Sequence, residues 1–138
     1  MERYVAFDIG DKRIGVAISD PFNTYALPSF TYHRKGFNED VAELARVARE
    51  KGATTIVCGL PVNFDGTPAL QTQKTERFIS ALKEACAIPV VCEDERFTTV
   101  MAHETLISEG MRREKRKSYV DALAAANILD GYLQKLKK

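Results

Sequence analysis

At 138 residues and 45% hydrophobic content, the chain fits one domain, residues 1–138, around a single core, and needs no disulfide or metal staple. A charged fraction of 28% with a net charge of +1 excludes global attraction to a polyanion, so any nucleic-acid binding has to come from a local patch. No apolar run approaches the roughly 20 residues of a membrane span, and the sequence opens on a strand pattern instead of a signal peptide.

The first stretch, Arg3 to Asp20 (RYVAFDIGDKRIGVAISD), has two apolar runs, Tyr4 to Ile9 and Ile14 to Ile18, around a polar turn built on Gly10, Asp11, Lys12 and Arg13. This is the pattern of a two-strand hairpin. Alternation puts Asp8 on one face with Tyr4 and Ala6, and Val5, Phe7 and Ile9 on the other, and both faces read as covered. An ionised carboxylate there costs several kcal/mol unless it is paired, hydrogen-bonded or bound to a cation. Aspartate before glycine is also a common turn-former. Only further carboxylates at the same place separate the two readings.

Tyr25 to Tyr32 reads as a third strand, with Pro28 marking an edge or a bulge. Val41, Leu44, Ala45, Val47 and Ala48 then recur at helical spacing over Asn38 to Lys51, and Gly52 closes the helix. Thr54 to Cys58 is a short buried strand, followed by a loop (GLPVNFDGTP) in which Asn63 and Asp65 shape turns. A second helix starts at Thr67 or Pro68 and ends near Ala85 to Ala87, and Ile88 to Cys92 is another buried strand running into Glu93, Asp94, Glu95 and Arg96. Thr98 or Thr99 caps a helix reaching about Glu109, and a last helix runs from Ser118 to about Leu136. The order implies an α/β fold with a mixed five-stranded sheet: an antiparallel meander first, then parallel crossovers flanked by helices. Cys58, Cys86 and Cys92 lie among apolar residues without CxxC spacing, so they read as buried thiols in the reducing cytoplasm and not as a zinc site.

Glu95 follows the strand ending at Cys92. If that strand lies beside the first, Glu95 and Asp8 converge; otherwise Glu93, Asp94 and Glu95 form a solvated loop beside Arg96. Steps of three and four from Asp121 reach Ala124, Ala125, Ile128, Leu129 and Tyr132, which puts Asp121 in the first turn of the stripe facing the sheet. Ser118 three residues earlier also fits a capping box, in which Asp121 stabilises the helix start by ~1 kcal/mol. Three inward carboxylates raise one another's pKa unless a cation joins them, and oxygen-only ligation suits one or two magnesium or manganese ions. Such a centre hydrolyses phosphodiesters.

Arg112, Arg113, Lys115, Arg116 and Lys117 surround a single acid, Glu114, immediately before Asp121. A charge run of this kind is either a solvated linker or a surface that holds a phosphate backbone without reading bases, and its nearness to the acids favours the second. Arg13 and Arg96 either meet phosphate or pair with a neighbouring acid. His33 and His103 have no partners at ligand spacing, and Lys135, Lys137 and Lys138 complement a helix C-terminus.

Four blocks in order, DIGDKRIGVAISD (Asp8 to Asp20), GLPVNFDGT (Gly59 to Thr67), EDERFTT (Glu93 to Thr99) and VDALAAANIL (Val120 to Leu129), resemble the YqgF (RuvX) family of the RNase H-like superfamily. The resemblance implies an RNase H-like fold, a bacterial cytoplasmic location and a nuclease that matures the 5′ end of pre-16S rRNA. By motif, Asp8, Glu95 and Asp121 are its acidic residues. A fourth carboxylate is open among Asp94, Glu93 and Asp20, as is the choice between monomer and homodimer. Cleavage of branched DNA, a Holliday junction, is the runner-up. An actin-like or sugar-kinase ATPase, suggested by the Asp-Ile-Gly turn, needs two lobes that this length does not provide, and a non-catalytic nucleic-acid binder differs from the leading reading only by giving no cleavage product.

Overall fold

The computed structural model of the chain describes residues 2–61, 70–94 and 113–136. The chain runs β1 (Tyr4–Ile9), β2 (Arg13–Ser19), β3 (Ala26–His33), α1 (Phe37–Glu50), β4 (Thr55–Leu60), α2 (Leu70–Ala85), β5 (Val90–Asp94) and α3 (Arg113–Leu136). The strands form one sheet in the order β3-β2-β1-β4-β5. Pairs β1/β2 and β2/β3 are antiparallel, and β1/β4 and β4/β5 are parallel. The meander and crossovers therefore follow the sequence pattern, with β1 at the centre.

Alternation along β1 divides the core. Val5, Phe7 and Ile9 join Ile14 and Val16 of β2 under α1 and α2, where Leu44, Phe78 and Leu82 fill the layer. Tyr4 and Ala6 face the other way and pack with Ala17, Val57, Ala125, Ile128, Leu129 and Leu133 beneath α3. Each fully buried leucine or phenylalanine here contributes about 1.5–3 kcal/mol relative to exposure. Alanines at 122, 124, 125 and 126 keep α3 thin enough to lie close to the sheet. Tyr132 adds an edge-on ring contact to Tyr4 at 5.7 Å.

The loops carry the expected chemistry in detail. Gly52 takes φ 72°, and the amides of Gly52 and Ala53 bond back to the carbonyls of Arg49 and Ala48, closing α1 with a Schellman motif. On the edge strand β3, Pro28 pairs with Ala17 while Phe30 pairs with Val16, so Ser29 is an extra residue in a bulge. Asp20 accepts hydrogen bonds from the amides of Phe22, Thr24 and Tyr25 and fixes the turn into β3. Burial pushes its carboxyl up, but these N–H donors outweigh that and hold it below the usual aspartate range. Cys58 is buried and Cys86 half-buried, but Cys92 is exposed, because β5 is the other edge of the sheet.

Candidate active site

Asp8 lies half-buried near the C-terminal end of β1, on the face covered by α3. Its register partner on β2 is Gly15, and partners directly opposite each other on antiparallel strands project to the same face. At Gly15 that face is occupied by the backbone of α3: a Cβ there would lie 1.7 Å from the carbonyl oxygen of Asp121 and 3.0 Å from the amide nitrogen of Ala122. The bare backbone of Gly15 thus lets α3 rest directly beside Asp8. Asp8 and Asp121, far apart in sequence, share one patch.

Arg13 stands two residues before Gly15 on β2 and so shares its face. Its Nε–H donates to Asp121 Oδ2 at 2.6 Å, with side chains 39% and 21% exposed. Of the two readings open for Arg13, pairing with an acid is the one observed, although the acid is distant in sequence. The pair corrects one expectation: the Arg13 guanidinium already offsets the charge of Asp121, so a divalent ion is not the only means of making that inward carboxylate tolerable. Among the described residues, no group of three or more His, Cys, Asp and Glu is placed to hold a metal ion. Glu95, Arg96, Thr98, Thr99, His103 and Arg112 lie outside the described residues, as do Asn63, Asp65 and the side chains of Arg113, Lys115, Arg116 and Lys117.

The helix carrying Asp121 begins at Arg113, not at Ser118. Asp121 therefore stands two turns into α3, and Ser118 is an interior residue, so the capping box is overturned. Most of the basic segment is correspondingly the start of the helix itself and not a linker before it. Lysine and arginine are good helix formers, and the helical pattern simply continues through them.

Two expectations about the acidic block also change. Strand β4 separates β1 from β5, so the fifth strand does not lie beside the first. Strand β5 extends to Asp94, which puts Glu93 inside the sheet and not in a solvated loop. Phe7 is level with Cys58, and Gly59, the next residue, is level with Glu93; Glu93 is thus at the height of Asp8, two strand spacings or about 10 Å away. Glu93 is 6% exposed and forms an ion pair with Lys135 of α3. Lys135, expected only to complement the helix dipole, is its counter-charge. Asp20 stands at the opposite end of the strands, where Ser19 accepts from the Tyr4 amide, and is committed to its turn. It is no fourth carboxylate.

The family model described as "RuvX: Holliday junction resolvase" matches residues 2–135. A protein of Clostridium novyi named "Putative pre-16S rRNA nuclease" is 41% identical over 134 residues, covering 97% of this chain and 99% of the relative. The chain belongs to the RuvX family. Among solved structures, the RuvX-family chain is similar to T. thermophilus RuvC in complex with a Holliday junction substrate, at TM-score 0.62 and 12% identity over 100% of this chain and 98% of that one. It is likewise similar to the Fowlpox virus resolvase in complex with Holliday junction DNA, at TM-score 0.60 and 15% identity over 99% of both chains. The fold is RNase H-like, the fold shared by these resolvases.

Sequence reasoning named Asp8, Arg13 and Asp121 as candidates but passed over Gly15, on which the backbone of Asp121 rests. The signal was present, since a glycine inside a strand pattern marks a close backbone approach. Lys135 was missed as a partner of Glu93 because nothing local links residues 42 positions apart.

Proposed function

We propose that the protein is a divalent-cation-dependent endonuclease that hydrolyses phosphodiester bonds in structured RNA, its substrate the 5′ end of pre-16S rRNA, and that it acts in the cytoplasm as a single domain of residues 1–138. The observation that carries this reading is the seat of the Asp121 backbone on Gly15, the register partner of Asp8, in a chain whose full-length relative is named for pre-16S rRNA.

Asp8, Asp121 and Glu95 are the residues assigned to the ion, magnesium or manganese, because hard carboxylate oxygens suit these cations. When bound, the ion supplies a water of lowered pKa and stabilises charge on the oxygens of the displaced ester. Asp8 and Asp121 fit that donor set: they share one patch, and Asp121 keeps Oδ1 outside its bond to Arg13. Arg13, at the mouth of the site, uses Nε on Asp121 and presents the rest of its guanidinium to a phosphate. The basic residues Arg113, Lys115, Arg116 and Lys117 fall at the start of α3, and Arg112 precedes them in the sequence. Cations at a helix N-terminus oppose the dipole, and that arrangement becomes favourable when a polyanion lies across it. Arg96 is assigned to the same backbone contact.

The deciding test is cleavage of a precursor RNA carrying the 5′ leader, with and without manganese, by the protein and by Asp8→Asn. Metal-dependent cleavage lost in the variant is expected; equal activity of the two proteins would remove Asp8 from the mechanism. The family's description favours one second reading, resolution of a Holliday junction. A four-way DNA junction in the same assay separates them, with preferential cutting of the junction supporting the second.

A further inference from the structure

On the opposite side of the sheet from Asp8, a cavity of ≈ 490 Å³ opens between the β1–β2 turn, the β3–α1 connection and the first turns of α2. Ile9, the residue after Asp8, lines it, so one strand end serves both the acids and the cavity. Its walls carry Arg34, Lys35, Lys74 and Arg77 against two acids, Asp11 and Asp40.

The acids do not cancel the cations. Asp40 is fully buried and saturated: Oδ1 accepts from Tyr32 Oη at 2.9 Å, the Lys35 amide at 2.9 Å and the Gly36 amide at 3.4 Å, and Oδ2 accepts from Arg34 Nε at 2.8 Å. Arg34 is in turn fixed, with Nη1 on the Gly10 carbonyl at 2.8 Å and its guanidinium 5.1 Å from the Phe78 ring. Asp11 is 3.9 Å from Lys74 with both side chains about two-thirds exposed, a separation at which water screens the pair. The Arg77 guanidinium makes no ion pair among the described residues, and the exposed Lys35 ammonium makes no salt bridge there, its charge reaching only the side chain of Glu43 on the neighbouring surface. Thr75 also lines the cavity; it is fully buried, and its Oγ1 has no hydrogen-bond partner among the described residues. The N-terminus of the 14-residue helix α1, at Gly36, has no side-chain cap. An unpaired guanidinium, an ammonium outside any salt bridge, an unsatisfied buried hydroxyl and uncapped amides are together a set of donors awaiting an acceptor.

We infer that this cavity is a phosphate-binding pocket, and that it takes a backbone phosphate of a nucleic-acid strand that also lies along the strand ends bearing Asp8. The strand passes over the β1–β2 turn, with the acids on one side and the pocket on the other. The volume is that of a small-ligand site, enough for a phosphate with its flanking sugar. The inference rests on the proposed function only in requiring that the protein holds a nucleic-acid strand.

The test reads binding, without metal and without cleavage. Amide NMR spectra of the full chain are titrated with inorganic phosphate and separately with a single-stranded RNA dodecamer, using the wild type and the exposed double substitution Lys35→Gln/Arg77→Gln. Both probes are expected to shift the amides of Lys35, Gly36, Phe37 and Thr75 saturably. The double variant is expected to lose the phosphate response and to bind RNA about tenfold more weakly, with the slope of log K against log salt reduced by about 0.7, the value for one phosphate of a single strand. If phosphate moves none of these amides, no such pocket exists. If phosphate binds but the double variant keeps wild-type RNA affinity and salt slope, the pocket serves a free phosphate and its role in holding the strand is overturned. An inactive nuclease that still shows the expected shifts would sink the proposed catalysis and leave the pocket standing.

Discussion

Gly15 lies so close under Asp121 that a Cβ at position 15 would reach to 1.7 Å of its carbonyl oxygen. The obstacle is backbone and not the end of a flexible side chain, so α3 itself would have to move. Gly15→Ala is therefore expected to destabilise the protein by about 1–3 kcal/mol, the range for an overpacked core. It should also separate Asp121 from Asp8. Thermal unfolding with the cleavage assay checks both, and a variant with wild-type melting temperature and activity would show that the helix has room to spare.

Asp8→Asn should leave the fold intact, because the amide fills the same space and relieves repulsion between neighbouring carboxylates. Cleavage is expected to fall by about 10²–10³-fold, the scale on which one preorganised polar group acts in a transition state. Equal melting temperatures with that loss of rate would place the effect in the chemistry.

In the proposed centre, Arg13 and the divalent ion would compete for the Asp121 carboxylate. Arg13→Gln should lower stability without metal by no more than about 1 kcal/mol, since the pair is partly exposed. The variant should then gain more melting temperature than the wild type when manganese is added. An equal gain in both proteins would show that Asp121 takes no part in metal binding.

Asp40 supports a pH prediction. Burial pushes its carboxyl up, but the Lys35 amide, Arg34, Tyr32 and the Gly36 amide outweigh that and hold it below the ordinary aspartate value of 3.8. A depressed carboxyl contributes stability that is complete above 3.8 and is lost as pH falls through the lower folded value. Asp40→Asn should thus cost about 3 kcal/mol near neutrality, as expected when one partner of a buried pair is removed. The gap to the wild type should close below pH 3.8. The same contact, after burial itself, pushes the Tyr32 hydroxyl up to about 12.

Lys135 is largely exposed while its partner Glu93 is buried. Lys135→Met is expected to lower stability by about 1 kcal/mol by leaving a buried acid unmatched, with solvent limiting the effect. Adding Glu93→Gln should recover most of the loss. A double variant no better than the single one would show that the pair does not act as a unit.

Much of this was legible in the chain. Alternation around Asp8 assigned the faces of β1, and the helical spacing after Asp121 identified the stripe packed on the sheet. What was not legible depended on the order of strands in space. Nothing in Ile88 to Cys92 says that β4 will intervene between β5 and β1, because both are short buried strands with interchangeable patterns. The start of α3 was misplaced for a different reason: Ser118 has the chemistry of a cap, but the basic residues before it are themselves good helix formers. The fixed environment of Asp40 was not legible because its donors, Tyr32, Arg34, Lys35 and Gly36, lie in the end of β3 and the irregular connection into α1, where no periodic pattern tells which side chains fold back on the helix.

The irregularity at Ser29 and Pro28 also bears on how the molecule meets copies of itself. An outer strand interrupted by an imide nitrogen and an inserted residue offers a broken row of docking groups, a poor template for edge-to-edge accretion. Any symmetric pairing of two copies is thereby steered away from continuous sheet extension through β3 and toward side-chain surfaces, which leaves the strand ends bearing Asp8 accessible to substrate.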